Sequence, residues 1–147
     1  MAKLRRDDDD RPKPPAPIRS GDRMWVRCHQ IWNILIGQVT YQQGPMNYGE
    51  LSERMGYSPK AGITLGYHLG IIGHYCKLSG LPCLNTLVVN KATGIPGDGV
   101  VTRPEKTWRQ EQRESLAFDW YGRRVPTTGT FRKVKALFDR VQAEGGD

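Results

Sequence analysis

Apolar side chains recur at helical spacing along much of the chain. Trp25, Cys28, Ile31, Trp32, Leu35 and Ile36 fall three and four apart, which makes one apolar face and predicts a helix over 22–36 that Gly37 ends. QVTY (38–41) then reads as a short strand and QQGP as a turn. YGELSERMG (48–56) predicts a short helix with Tyr48, Leu51 and Met55 on one side and Gly56 as its stop. Ser58-Pro59 opens the next helix with a hydroxyl cap followed by proline at the first helical position. Leu65, Leu69, Ile72 and Cys76 form its inward face, and Ser79-Gly80 closes it. Gly62, Gly66, Gly70 and Gly73 form a second, bare strip on the same helix, open to close approach by another backbone.

The period then changes. LNTLVVN (84–90) is β-rich, KATG is a turn, GIPGDG a flexible loop, and VVT (100–102) can return as a second strand. Glu105 to Trp120 reads as a mostly polar helix. Phe131, Val134, Leu137, Phe138 and Val141 trace an amphipathic one with Arg132, Lys133, Lys135 and Arg140 outside. Helix, helix, hairpin is the order of a winged helix. The expected fold is therefore mixed α/β and mainly helical, with a winged helix-turn-helix core at 37–103. It forms a single domain over 21–144 with flanking N- and C-terminal helices. Residues 1–20 read as a tail, because Pro12, Pro14, Pro15 and Pro17 forbid a helix and LRRDDDDR has almost nothing to bury.

Composition narrows the function. The longest apolar stretch, Met24 to Ile36, is interrupted by Arg27, His29, Gln30 and Asn33, short of the roughly 20 residues a membrane helix needs. The N-terminus lacks the apolar segment of a signal peptide, so a cytosolic protein is expected. Cys28, Cys76 and Cys83 are too few and too irregular for a disulfide framework. With no CxxC or HxxxH pair they read as buried hydrophobes rather than metal ligands. No cofactor motif is present: there is no P-loop, GxSxG or HExxH. A net charge of +7 favours an anionic partner, nucleic acid above all, and excludes an acidic DNA mimic.

GQVTY, YGELSERMGYSPKAGITLGYHLG and LPC together resemble the C-terminal DNA-binding domain of alkylguanine-DNA alkyltransferases and their alkyltransferase-like relatives, over residues 37 to about 90. In that family a G-x-V-x-TYGE-x-A segment leads into a helix of the form SP-x-AARAVG-x-AL, followed by PCHRV. The resemblance implies that Tyr48 sits against the phosphate of a flipped nucleotide, and that Pro59, Ala61, Gly66 and Leu69 frame a recognition helix. Two departures matter. Ile63 stands where the family has the arginine that fills the gap left by the flipped base, and Leu84-Asn85 follow Pro82-Cys83 where His-Arg belong. A cysteine attacks as thiolate, and leucine gives it neither base nor charge.

The expected function is thus non-enzymatic binding of duplex DNA, with RNA as a second candidate. Arg54, Lys60 and Lys91 would meet phosphates, Tyr48 would contact the backbone, and Thr64, Tyr67 and His68 would make base-edge or shape contacts. A second reading, from another class, is a protein–protein adaptor or inhibitor of a nucleic-acid-processing machine, with a partner contacting the N-terminal tail. A third, an alkyl-DNA sensor or transferase acting through Cys83, requires a histidine within hydrogen-bond reach of that thiol. The glycine strip separates the first two: open and basic at its edges it favours DNA, covered by the N-terminal helix it is packing.

Overall fold

The computed structural model describes residues 11–15, 23–41 and 43–145; most of the expected tail, including its aspartate run, lies outside them. Arg11–Pro15 are exposed and carry no regular structure. The domain is mainly helical, as expected, with one small sheet. In chain order it has α1 (Arg23–Thr40), β1 (Met46–Asn47), α2 (Tyr48–Arg54), a 3-10 helix (Pro59–Leu65) running into α3 (Gly66–Leu78), a second 3-10 turn (Leu84–Leu87), β2 (Val88–Val89), α4 (Trp108–Ala117), a third 3-10 turn (Trp120–Gly122) and α5 (Thr128–Ala143). Among the described residues no helix is long and apolar enough to cross a membrane.

α1, α3 and α5 pack on one another around a core in which Ile31, Leu35, Ile71, Ile72 and Phe131 are fully enclosed. Trp32 stands at its aromatic end, edge-on to Tyr75 and Trp120 with ring centroids 5.5 Å away in both cases. The caps foreseen for the inner helices are present. Ser58 accepts from the Lys60 amide, Gly56 leaves α2 at φ +91°, and Leu65, Leu69, Ile72 and Cys76 are all buried. Two capping boxes, Thr107 with Gln110 and Thr127 with Thr130, start α4 and α5.

Four expectations need correcting. The polar helix spans Trp108–Ala117 rather than Glu105–Trp120, because Glu105 sits at φ +66° and Thr107 is the N-cap. Gly37 does not end α1, and QVTY is no strand. Val39 is three and four residues beyond Ile36 and Leu35, so the apolar face continues and the helix runs to Thr40. The recognition-helix segment is not α-helical from its start; its first seven residues are a 3-10 helix. The hairpin does not form. Val88–Val89 pair in parallel with Met46–Asn47, and residues 100–102 are not a strand. Asn90 and Ile95 close the intervening loop on itself, the Asn90 amide donating to the Ile95 carbonyl at 2.8 Å. Beyond the loop, Asn85 Nδ2 donates to the Val101 carbonyl at 3.1 Å, tying this segment to the end of the core.

Candidate nucleic-acid interface

A groove of about 570 Å³ runs between the start of α2, the 3-10 helix and the 90–99 loop. Its construction is local. Asn47 caps α2, its side chain accepting from the Glu50 amide at 2.9 Å. The 3-10 helix lies so close to the first turn of α2 that a Cβ on Gly62 would stand 2.4 Å from the Tyr48 carbonyl oxygen; only glycine fits. On the other wall the Tyr48 hydroxyl accepts the Gly97 amide at 3.1 Å, and a Cβ on Gly97 would sit 2.7 Å from that hydroxyl. Tyr48 therefore fastens the loop to the helix start.

Of the seven residues expected to touch nucleic acid, the groove gathers Tyr48, Lys60 and Lys91. Lys60 and Lys91 are exposed and form no ion pair with any described residue. Ile63, at 86% exposure, stands on the same wall as Lys60. The other four lie elsewhere. Arg54 is drawn back to α1 and its exit, donating to Gln38 Oε1 at 2.7 Å and Gln43 Oε1 at 3.5 Å. Thr64 is exposed, and its hydroxyl donates to the Ala61 carbonyl of its own helix. Tyr67 donates to Asp139 of α5 and packs its ring on Phe138. His68 is buried in the core at 5% exposure. Burial first, and then the charge of Arg27, hold its pKa below the ordinary histidine value. It has no route to a base edge. Three groove residues were missed: Asn47, Asn90 and Asp98. Asn47 had a visible signal, a capping side chain just ahead of a helix; the other two lie in a loop whose course the sequence did not predict.

The glycine strip is mostly closed, though not by α1. Gly70 faces Phe138 and Gly73 faces Asn85, each with room for no Cβ, while Gly62 faces α2; only Gly66 opens, into the groove.

Pro82-Cys83, the segment of the resemblance's reactive site, lies in a different environment. Cys83 is fully buried and its thiol's neighbouring acceptor is the Gly73 carbonyl, 3.8 Å away; no histidine is among its hydrogen-bond partners. Burial, reinforced by the nearby Glu111 carboxylate, pushes its pKa up, and burial likewise pushes Cys28 and Cys76 up to about 12. Glu111, itself wholly enclosed, accepts from the Cys83 amide at 3.3 Å, from the Arg103 amide at 2.7 Å and from two guanidinium nitrogens of Arg103 at 3.0 and 2.7 Å. Burial works against the charged form, but Arg103 and the two amides prevail and hold the Glu111 pKa below the ordinary carboxylate value. Among the described residues no three His, Cys, Asp or Glu side chains are placed to hold a metal ion. No protein-family model matches the chain, and no curated protein or solved structure resembles it closely enough to count as a match.

Proposed function

We propose that this chain is a non-enzymatic, basic nucleic-acid-binding protein that seats duplex DNA on the groove between α2, the 3-10 helix and the 90–99 loop. The observation that carries the reading is the convergence of Lys60 and Lys91, thirty-one residues apart in sequence, on one groove, with no ion pair to either from any described residue. Unpaired lysines of this kind meet phosphates, and the polar side chains between them, Asn47, Asn90 and Asp98, suit base or sugar contacts. α2 followed by the 3-10/α3 helix serves as the helix-turn-helix, in the manner of an alkyltransferase-like domain. In this reading the closed 90–99 loop does the work of a wing, without the hairpin of one. Cys83 has no part in this function, because a buried thiol facing a carbonyl stays protonated.

The test is binding to a labelled mixed-sequence duplex over a range of salt concentrations, for the native chain and for Lys60→Ala/Lys91→Ala. The expected result is affinity that falls steeply with salt, with a slope shallower by roughly 2 in the double variant. Arg54→Ala should lose less than either lysine. No binding at low salt, or binding the double variant keeps unchanged, would sink the proposal. The adaptor reading would then take its place, with Ile63 as the anchor that a protein partner would cover.

A further inference from the structure

A second cavity lies at the far end of α3. Gly66, at the helix start, lines the groove; Tyr75, nine residues on and about 14 Å along the axis, lines a separate space of about 150 Å³. Its walls are Trp32, Tyr75, Leu81 and Trp120, and Arg123 and Arg124 stand at its edge. Three features distinguish it from a packing defect. First, the walls are aromatic rings set edge-on to one another, Trp32 against Tyr75 and against Trp120, and a space of this size takes one benzene-sized ring. Second, the Trp32 indole N–H is enclosed and makes no hydrogen bond with any described residue, although Trp32 is only 3% exposed. A buried donor without an acceptor is a standing free-energy cost that well-packed native cores rarely keep. Third, both guanidinium groups lie on exposed residues. Among the described residues no carboxylate pairs with Arg123 or Arg124, and Arg123 is propped over the Phe118 ring at 5.4 Å. Two adjacent unpaired arginines suit an oxyanion, which the planar guanidinium binds through paired N–H donors.

We propose that this cavity binds a small aromatic oxyanion, its ring against Trp32, Tyr75 and Trp120 and its carboxylate or phosphate on Arg123 and Arg124. The site is independent of the groove, and its test does not depend on nucleic-acid binding. The experiment follows the tryptophan indole N–H signals of the intact chain by two-dimensional NMR, with Trp32→Phe assigning the Trp32 signal. Phenyl phosphate, benzoate, inorganic phosphate and the uncharged benzyl alcohol are added in turn. The expected result is a saturable shift of the Trp32 indole signal with phenyl phosphate or benzoate. Benzyl alcohol and inorganic phosphate should bind at least about ten-fold more weakly, as should phenyl phosphate to Arg123→Ala/Arg124→Ala. Both arginines are exposed, so the variant should keep the native melting temperature. A phosphotyrosine peptide beside phenyl phosphate separates the two sources of such an anion. Tighter binding of the peptide assigns it to a protein side chain, tighter binding of phenyl phosphate to a free small molecule, and either supports the site. An unmoved Trp32 signal at millimolar phenyl phosphate and benzoate would overturn the proposal. So would equal affinity for inorganic phosphate, or undiminished affinity in the double-arginine variant.

Discussion

Two charged regions of this domain are built on opposite terms. Around Cys83 the charges are answered: Glu111 is fully enclosed, Arg103 grips it with two guanidinium nitrogens, and the partly exposed Glu114 joins Arg103 to Lys106. In the groove Lys60 and Lys91 stand in solvent with no ion pair from any described residue, while the effort of the fold goes into the backbone beneath them, through Gly62, Gly97 and the Tyr48 hydroxyl. A satisfied buried network rigidifies and has no valence left for a ligand. An unsatisfied exposed pair costs the fold little and keeps its full charge for a partner. Sequence resemblance points to both regions equally; the placement of the charges separates them, enclosing the first in the architecture and leaving the second open to the partner proposed for it.

The hardest way to break this contrast is to remove Arg103. Arg103→Ala leaves the Glu111 carboxylate enclosed with only the Cys83 amide and the residue-103 amide to face it. Breaking a buried pair costs about 3–5 kcal/mol, and these surviving donors put the expected loss near about 3 kcal/mol by denaturant titration. Unchanged stability would show that Glu111 reaches water. The same network sets an acid limit. Because the folded pKa of Glu111 is depressed, its contribution is complete above the ordinary carboxylate value of about 4.3. It is lost as pH falls from there through the folded value. Melting temperature against pH should therefore drop more steeply on the acid side for the native chain than for Glu111→Gln; parallel curves would remove Glu111 from the account.

This network was invisible in the sequence. WRQEQRES reads as a polar helix, and no periodicity marks Glu111 as the one acid of its run to be swallowed, since its partners come from a loop at 103 and a turn at 83. What local pattern controls was legible: the apolar faces of α1, α3 and α5, except that Leu137 of α5 is exposed, and the Ser58-Pro59 cap. What depends on pairing distant segments was not. LNTLVVN carries β propensity, but only the fold decides that two of its residues pair in parallel with Met46–Asn47 rather than with 100–102. The groove shows the same division. Lys60 was placed by its helix cap, whereas Asp98 and Asn90 entered with a loop of unforeseen course.

A smaller effect probes the groove's floor. Gly62→Ala puts a Cβ 2.4 Å from a backbone carbonyl that has no side-chain freedom to yield. The 3-10 helix must then lift off α2, at an expected cost of about 2 kcal/mol, within the range for overpacking. Since Lys60 and Ile63 ride on that helix, DNA affinity should fall with stability in this variant, whereas Arg103→Ala should lower stability and leave the affinity of the folded protein unchanged. If Arg103→Ala weakened binding as much as Gly62→Ala did, the division between the two regions would fail.

The mildest substitution is the most discriminating. Tyr48→Phe keeps the ring and removes only the acceptor for the Gly97 amide, so stability should fall by about 1 kcal/mol. The loop carrying Asp98 and Lys91 loses its tie to α2, and hydrogen exchange at the Gly97 amide should speed up while the core amides of α3 stay protected. Two roles for the hydroxyl are then separable. If it acts only as a fastener, Tyr48→Phe weakens DNA binding with the salt slope intact, because no phosphate contact is lost. If the hydroxyl also donates to a phosphate, affinity falls further than loop exchange accounts for, and restoring the loop by other means does not recover it.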